Sequence, residues 1–120
     1  MYIELDDIKS FHWGGTKFKL PSNIIRFNEF ENVVVFLLDE NKKRDKIVGV
    51  KFSQAEGINH FYIDWEFKVK DFTNNEYSIV SMSKQIFENK EVVYCYGWGF
   101  DIGYYLDPET GRVLHTEPIK

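Results

Sequence analysis

Cysteine is nearly absent from this chain of 120 residues. Cys95 stands alone, which excludes an intrachain disulfide and any multi-cysteine metal site. An excess of basic charge is missing as well. Fifteen Lys and Arg face 19 Asp and Glu, a formal net charge of −4, and that balance argues against a basic surface holding DNA, RNA or anionic lipid. Long hydrophobic runs do not occur. The longest, Val33-Val34-Val35-Phe36-Leu37-Leu38, falls far short of the roughly 20 residues that a membrane-spanning helix needs. The opening Met1-Tyr2-Ile3-Glu4-Leu5-Asp6-Asp7 has neither the basic start nor the apolar run of about 7–15 residues that a secretory signal carries. A reducing, cytoplasmic home is the expectation.

What the chain has in plenty is aromatic residues: 11 Phe, 7 Tyr and 3 Trp, 18% of the sequence. Burying one ring removes about 150–250 Å² from water, so a small domain without disulfides can build its core from them. The dominant pattern is strict alternation, clearest from His60 to Val69. Phe61, Ile63, Trp65, Phe67 and Val69 fall on one side; His60, Tyr62, Asp64, Glu66 and Lys68 fall on the other. That is the signature of a half-buried antiparallel strand. Val33–Leu38 is apolar on both faces and reads as a central strand, joined to Lys46–Phe52 by the charged stretch 39–45 as a hairpin.

Breaks at 70–76 and Glu88-Asn89-Lys90-Glu91 delimit Tyr77–Phe87 and Val92–Tyr96. Asp107-Pro108-Glu109-Thr110-Gly111 sets Asp first, Pro next, and Gly where a positive φ is required, so it predicts a tight hairpin between Tyr104–Leu106 and Arg112–Thr116. Helix signals are poor. Ile79, Met82, Ser83, Ile86 and Phe87 have helical spacing within a β-branched, turn-flanked segment, and residues 2–9 suit a short helix or an edge strand. The expected fold is a single all-β domain over 1–120, an antiparallel meander of about eight to ten short strands in a twisted sheet or small sandwich, with room for one short helix.

Chemistry-bearing motifs are sparse. His12, His60 and His115 lie far apart with no metal-ligand spacing. Cys95 sits in the apolar strand Val92–Tyr96 and reads as a small core residue, because a reactive thiolate needs an electropositive, partly exposed setting. Asp39-Glu40-Asn41-Lys42-Lys43-Arg44 begins like a calcium loop, then places Lys43 and Arg44 where a ligand and the turn glycine belong. Gly97-Trp98-Gly99-Phe100-Asp101-Ile102-Gly103 lacks the spacing and the following helix of a phosphate loop. Its glycines read as a bend that divides an otherwise overlong strand, since strands usually run about 3–10 residues. Tyr94, Tyr96, Trp98 and Phe100, opposite the glycines, read as core. Asp64 and Glu66 would stand about 7 Å apart on one strand face, a solvated pair in preference to an acid–base couple. Nothing nominates a metal, a cofactor or an enzyme.

Two stretches resemble a known group. Val92-Val93-Tyr94-Cys95-Tyr96-Gly97-Trp98, then Tyr104-Tyr105-Leu106-Asp107-Pro108-Glu109-Thr110-Gly111-Arg112-Val113-Leu114 with a terminal Lys120, resembles the C-terminal end of a group of small bacterial proteins of the toxin-immunity type. Ile58-Asn59-His60-Phe61-Tyr62-Ile63-Asp64-Trp65 is similar to an earlier segment of that group, although the Asp-Gly turn that follows there is replaced by Glu66-Phe67-Lys68. The resemblance covers roughly the second half of the chain. It implies a non-enzymatic, protein-binding domain that neutralises a toxin. The Asp-x-x-Thr-Gly turn is also similar to one blade of a quinoprotein-type propeller, but a single copy cannot close one.

On this reading an acidic surface meets a basic toxin, charge speeding encounter and aromatic anchors supplying affinity. The residues nominated are Tyr62, Asp64, Glu66, Trp98 and Asp101. The alternative is a small-ligand or glycan-binding module that stacks a ring on exposed Trp98, Tyr96 or Tyr104. Burial of these aromatics separates the two, and the oligomeric state is open because strand edges invite pairing.

Overall fold

The computed structural model describes residues 1–40, 43–69, 79–97 and 102–119. Among the described residues eleven strands occur, one more than the upper end of the expectation: β1 (Glu4–Leu5), β2 (Ser10–Trp13), β3 (Thr16–Lys19), β4 (Asn23–Glu29), β5 (Val33–Glu40), β6 (Lys43–Ala55), β7 (Ile58–Phe67), β8 (Ile79–Phe87), β9 (Lys90–Gly97), β10 (Ile102–Leu106) and β11 (Val113–Pro118). They form three antiparallel sheets, β1-β2-β3, β4-β5-β6-β7 and β11-β10-β9-β8, each a meander of consecutive strands. No helix occurs among the described residues. The segment with helical spacing is strand β8, because pairing with β9 satisfies one side of its backbone from Ile79 to Phe87. Residues 2–9 contribute only the short β1. Among the described residues no helix is long and apolar enough to cross a membrane.

The four-stranded β4–β7 sheet is the middle of three layers, and β5 shows why. Val33, Val35 and Leu37 enter one core with Ile79, Met82, Val93, Cys95 and Leu106 of the β8–β11 sheet. Val34, Phe36 and Leu38 enter a second core with Ile3, Phe11 and Leu20 of the N-terminal segment. A strand buried on both faces carries an unbroken apolar run instead of an alternating one. Phe11 anchors the second core, its ring stacked on Phe36 at 5.2 Å and edge-on to Phe61 at 4.9 Å.

The hairpins follow from turn chemistry. Glu56 and Gly57 both have positive φ (53° and 77°) between the paired Ala55 and Ile58, the conformation that matches the twist of the flanking strands. The last hairpin closes as its sequence predicts: Gly111 N donates to Asp107 O at 2.7 Å, Glu109 N donates to Asp107 Oδ1 at 2.9 Å, and Gly111 has φ +73°. The β5–β6 hairpin is longer than expected, since β6 extends from Lys43 to Ala55.

Strand β7 corrects the expectation of one continuous apolar face. Its register with β6 shifts between Gly49 and Val50: Trp65 lies opposite Gly49, and Ile63 opposite Val50, leaving Asp64 as the extra residue. A bulge turns the strand over. Phe61 and Ile63 therefore pack into the second core, whereas Trp65 and Phe67 pack into the first.

Candidate functional site

The same bulge disperses the nominated site. Tyr62 pairs with Lys51 and Glu66 with Val48. Val48 and Val50 point into the second core, so Lys51 and Tyr62 face the opposite side. Tyr62 and Glu66 do not share a surface. The Asp64 carboxylate lies 2.9 Å from Lys51 Nζ, and Glu109 of the last turn lies 3.5 Å from the same ammonium. The hydrogen bond that Lys51 donates to Asp64 holds its ammonium above the usual lysine range, against a smaller opposing effect of burial. Glu66 is paired separately, 3.6 Å from Lys46. These acids hold strands and the last turn together, which leaves little bare negative charge. Trp98 and Asp101, with Phe100, lie outside the described residues.

Cys95 is fully enclosed, and burial alone pushes its thiol up to about 12. It fills core space, and thiolate chemistry is closed to it near neutral pH. His12 is held between carboxylates, 2.7 Å from Asp6 and 3.4 Å from Glu4, and so fastens β1 to β2. His60 is exposed and lies 6.0 Å from the Tyr62 ring. Among the described residues no cluster of His, Cys, Asp or Glu has the geometry to hold a metal ion.

The arrangement that sequence reasoning missed is on the outer face of the β8–β11 sheet. Along β9, Val93 and Cys95 point into the core, so Tyr94 and Tyr96 point outward. This corrects the reading of those tyrosines as core. Cross-strand pairing carries the face across the sheet: Tyr94 opposite Ser83 and Tyr105, Tyr105 opposite His115, and Gly103 opposite Glu117. The rings touch in sequence. Tyr96 is 6.0 Å from Tyr94, Tyr94 is 4.8 Å from Tyr105, and Phe87 lies 5.1 Å from both Tyr105 and His115.

Gly103 makes this row possible. A Cβ at that position would stand 2.3 Å from the Tyr94 hydroxyl oxygen and 2.7 Å from its Cε1, so Tyr94 lies across the space a side chain would fill. The Tyr105 hydroxyl donates to Glu117 Oε1 at 3.1 Å. Burial first, and Glu117 second, raise the ionisation of Tyr94 and Tyr105 above the usual phenol range. Both remain phenols, able to donate, at neutral pH. Tyr104, one of the rings nominated for stacking a ligand, points the other way, against the first core and 5.5 Å from Phe67.

Hollows among the described residues adjoin this sheet. One of about 330 Å³ lies at the end of the aromatic row, among Phe87, Glu88, Lys90, Leu114 and His115. A larger one of about 590 Å³ runs between β4, the N-terminal residues and the β8–β9 hairpin. Most of its charged groups are already engaged: Glu29 accepts from Ile3 N at 2.8 Å, and Lys84 lies 3.3 Å from Glu91 and 4.7 Å above the Phe30 ring. That groove is a seam between layers.

No family model, no curated protein and no solved structure matches the chain.

Proposed function

We propose that this chain is a non-enzymatic protein-binding domain whose contact surface is the outer face of the β8–β11 sheet. The observation that carries the reading is the row Tyr96–Tyr94–Tyr105–His115 with Phe87, half-buried in itself and overlaid by no further sheet among the described residues. Tyrosine supplies a large, rigid contact area at low entropic cost and keeps a polar tip for hydrogen bonding, and it is enriched where proteins meet proteins. The surrounding Ser81, Ser83 and Gln85 add adaptable polar contacts. A broad sheet face suits a protein partner better than a small molecule, which favours concavity. The net charge of −4 suits a basic partner, and neutralising a toxin, which the C-terminal resemblance implies, is the same reading given a biological role.

The test is co-expression with the product of the neighbouring gene, followed by size-exclusion chromatography and titration calorimetry. A stable complex that Tyr94→Ala and Tyr96→Ala weaken by about tenfold or more each, as central tyrosines of an interface do, while Tyr62→Ala does not, supports the proposal. Absence of a complex, or a complex indifferent to both tyrosines, overturns it. A second reading, a small-ligand or glycan module, draws on the hollow of about 330 Å³ beside Phe87 and His115. It predicts saturable tyrosine fluorescence changes with simple sugars in the absence of any protein partner.

A further inference from the structure

The two edges of the β8–β11 sheet are treated differently. At the β8 edge the Arg26 guanidinium, reaching over from β4, donates to Met82 O at 3.2 Å, and Lys84 lies over Phe30 of the middle layer. The Arg26 side chain occupies a backbone acceptor of the edge strand, a common protection of sheet edges. The β11 edge has no such cover among the described residues. β11 pairs on one side only, with β10. Val113 and Leu114 at one end of the strand are 46% and 43% exposed, and Ile102, opposite Pro118 at the other end, is 42% exposed.

We propose that β11 pairs antiparallel with β11 of a second copy of this chain, making an eight-stranded sheet across a two-fold axis. The axis must stand perpendicular to the sheet so that the cores stay on one side and the aromatic rows on the other. Residues opposite one another then share a face. Centring on His115 sets that residue against itself. Centring on Glu117 opposes two carboxylates. Centring on Thr116 places His115 opposite Glu117 of the second copy, twice by symmetry, and Leu114 opposite Pro118.

Only the register centred on Thr116 sets an imidazole, which can donate, opposite a carboxylate, which accepts, and it joins the two aromatic rows end to end through His115. The bulge at Leu114, where the register with β10 shifts, and Pro118, which has no N–H to donate, confine the ladder to a short stretch. The association is therefore concentration-dependent and reversible.

Sedimentation velocity over a wide range of concentration tests this. The expected result is a mass that rises from that of the 14.3 kDa monomer towards twice that value. His115→Glu and Glu117→His each remove the complementary pairing, and two symmetry-related pairs predict a dissociation constant raised roughly tenfold. The double variant His115→Glu/Glu117→His restores an acid–imidazole pair in the same register and brings the constant back. Both positions of substitution lie on an exposed edge strand, and circular dichroism verifies the fold of each variant. A chain that stays monomeric at every concentration overturns the proposal. So does a dimer whose constant the single variants leave unchanged, because such a dimer forms through another surface.

Discussion

Trp65 Nε1 donates to Pro108 O at 2.9 Å, tying the middle sheet to the turn that closes the last hairpin. The indole fits because two glycines leave room for it. A Cβ on Gly49 would stand 2.1 Å from Nε1, and one on Gly111 would stand 2.4 Å from Cε3. The Asp-Pro-Glu-Thr-Gly turn is thus both a reversal of the chain and the seat of a buried tryptophan from another layer.

Gly111→Ala is expected to destabilise the fold by about 1–3 kcal/mol, since the residue both needs positive φ and abuts the indole. Trp65→Phe should cost a similar amount, about 1–3 kcal/mol, by leaving the enclosed Pro108 carbonyl without its donor. Urea denaturation followed by far-UV circular dichroism measures both.

Gly103 and Tyr94 should be coupled. Gly103→Ala drives the Tyr94 ring off the sheet and costs about 1–3 kcal/mol in the wild-type background. In a Tyr94→Ala background the same substitution meets empty space and costs much less. A double-mutant cycle on thermal or urea stability reads this directly; additive losses would show that Tyr94 does not lie over Gly103 in solution.

The alkaline limb of stability follows from Cys95, Lys51, Tyr94, Tyr104 and Tyr105, all raised in the folded state. A folded-state pKa above the unfolded value means that the folded chain holds its proton longer. The contribution from Lys51 is fully present below its unfolded value of about 10.5 and is lost as pH rises above it. Cys95 lowers stability from pH of about 8.5 upward and the tyrosines from about 10, where the unfolded chain ionises first. Unfolding titrations between pH 7 and 11 should show a flat region and then a fall, and Lys51→Met should make that fall shallower.

Cys95 should be inert to an aromatic disulfide reagent at pH 8 in the folded protein and react at once in denaturant, because burial holds its thiol near 12. Fast reaction of the native protein would contradict its enclosure. Cys95→Ala should leave any binding on the outer face intact, since the side chain points into the core.

Much of the fold was legible from local pattern. Alternation identified β7, the doubly apolar Val33–Leu38 run identified a strand covered on both faces, and the Asp107–Gly111 turn followed from the conformations of Pro and Gly. The candidate site was legible only in part. Tyr62, Asp64 and Glu66 alternate perfectly in sequence, yet the bulge opposite Gly49 and Val50 puts Tyr62 and Glu66 on opposite faces. A bulge belongs to a pair of strands and leaves no mark in either one alone. Tyr94 and Tyr96 misled for a related reason: apolar residues occupy both parities of β9, with Val92 and Val93 both fully buried.

The excess of aromatic residues and the single cysteine by themselves determined that this chain must build a core from rings, without disulfides, in strands set by residue alternation. Local propensity and turn chemistry suffice for that, since they act over a few residues. Only the tertiary structure decided which rings are core and which are surface. Phe11, Phe36 and Phe61 went inside, and Tyr94, Tyr96 and Tyr105 went to the outer face of the last sheet. The physical reason is that alternation defines two faces of a strand, and only the packing of sheet upon sheet decides which face is covered.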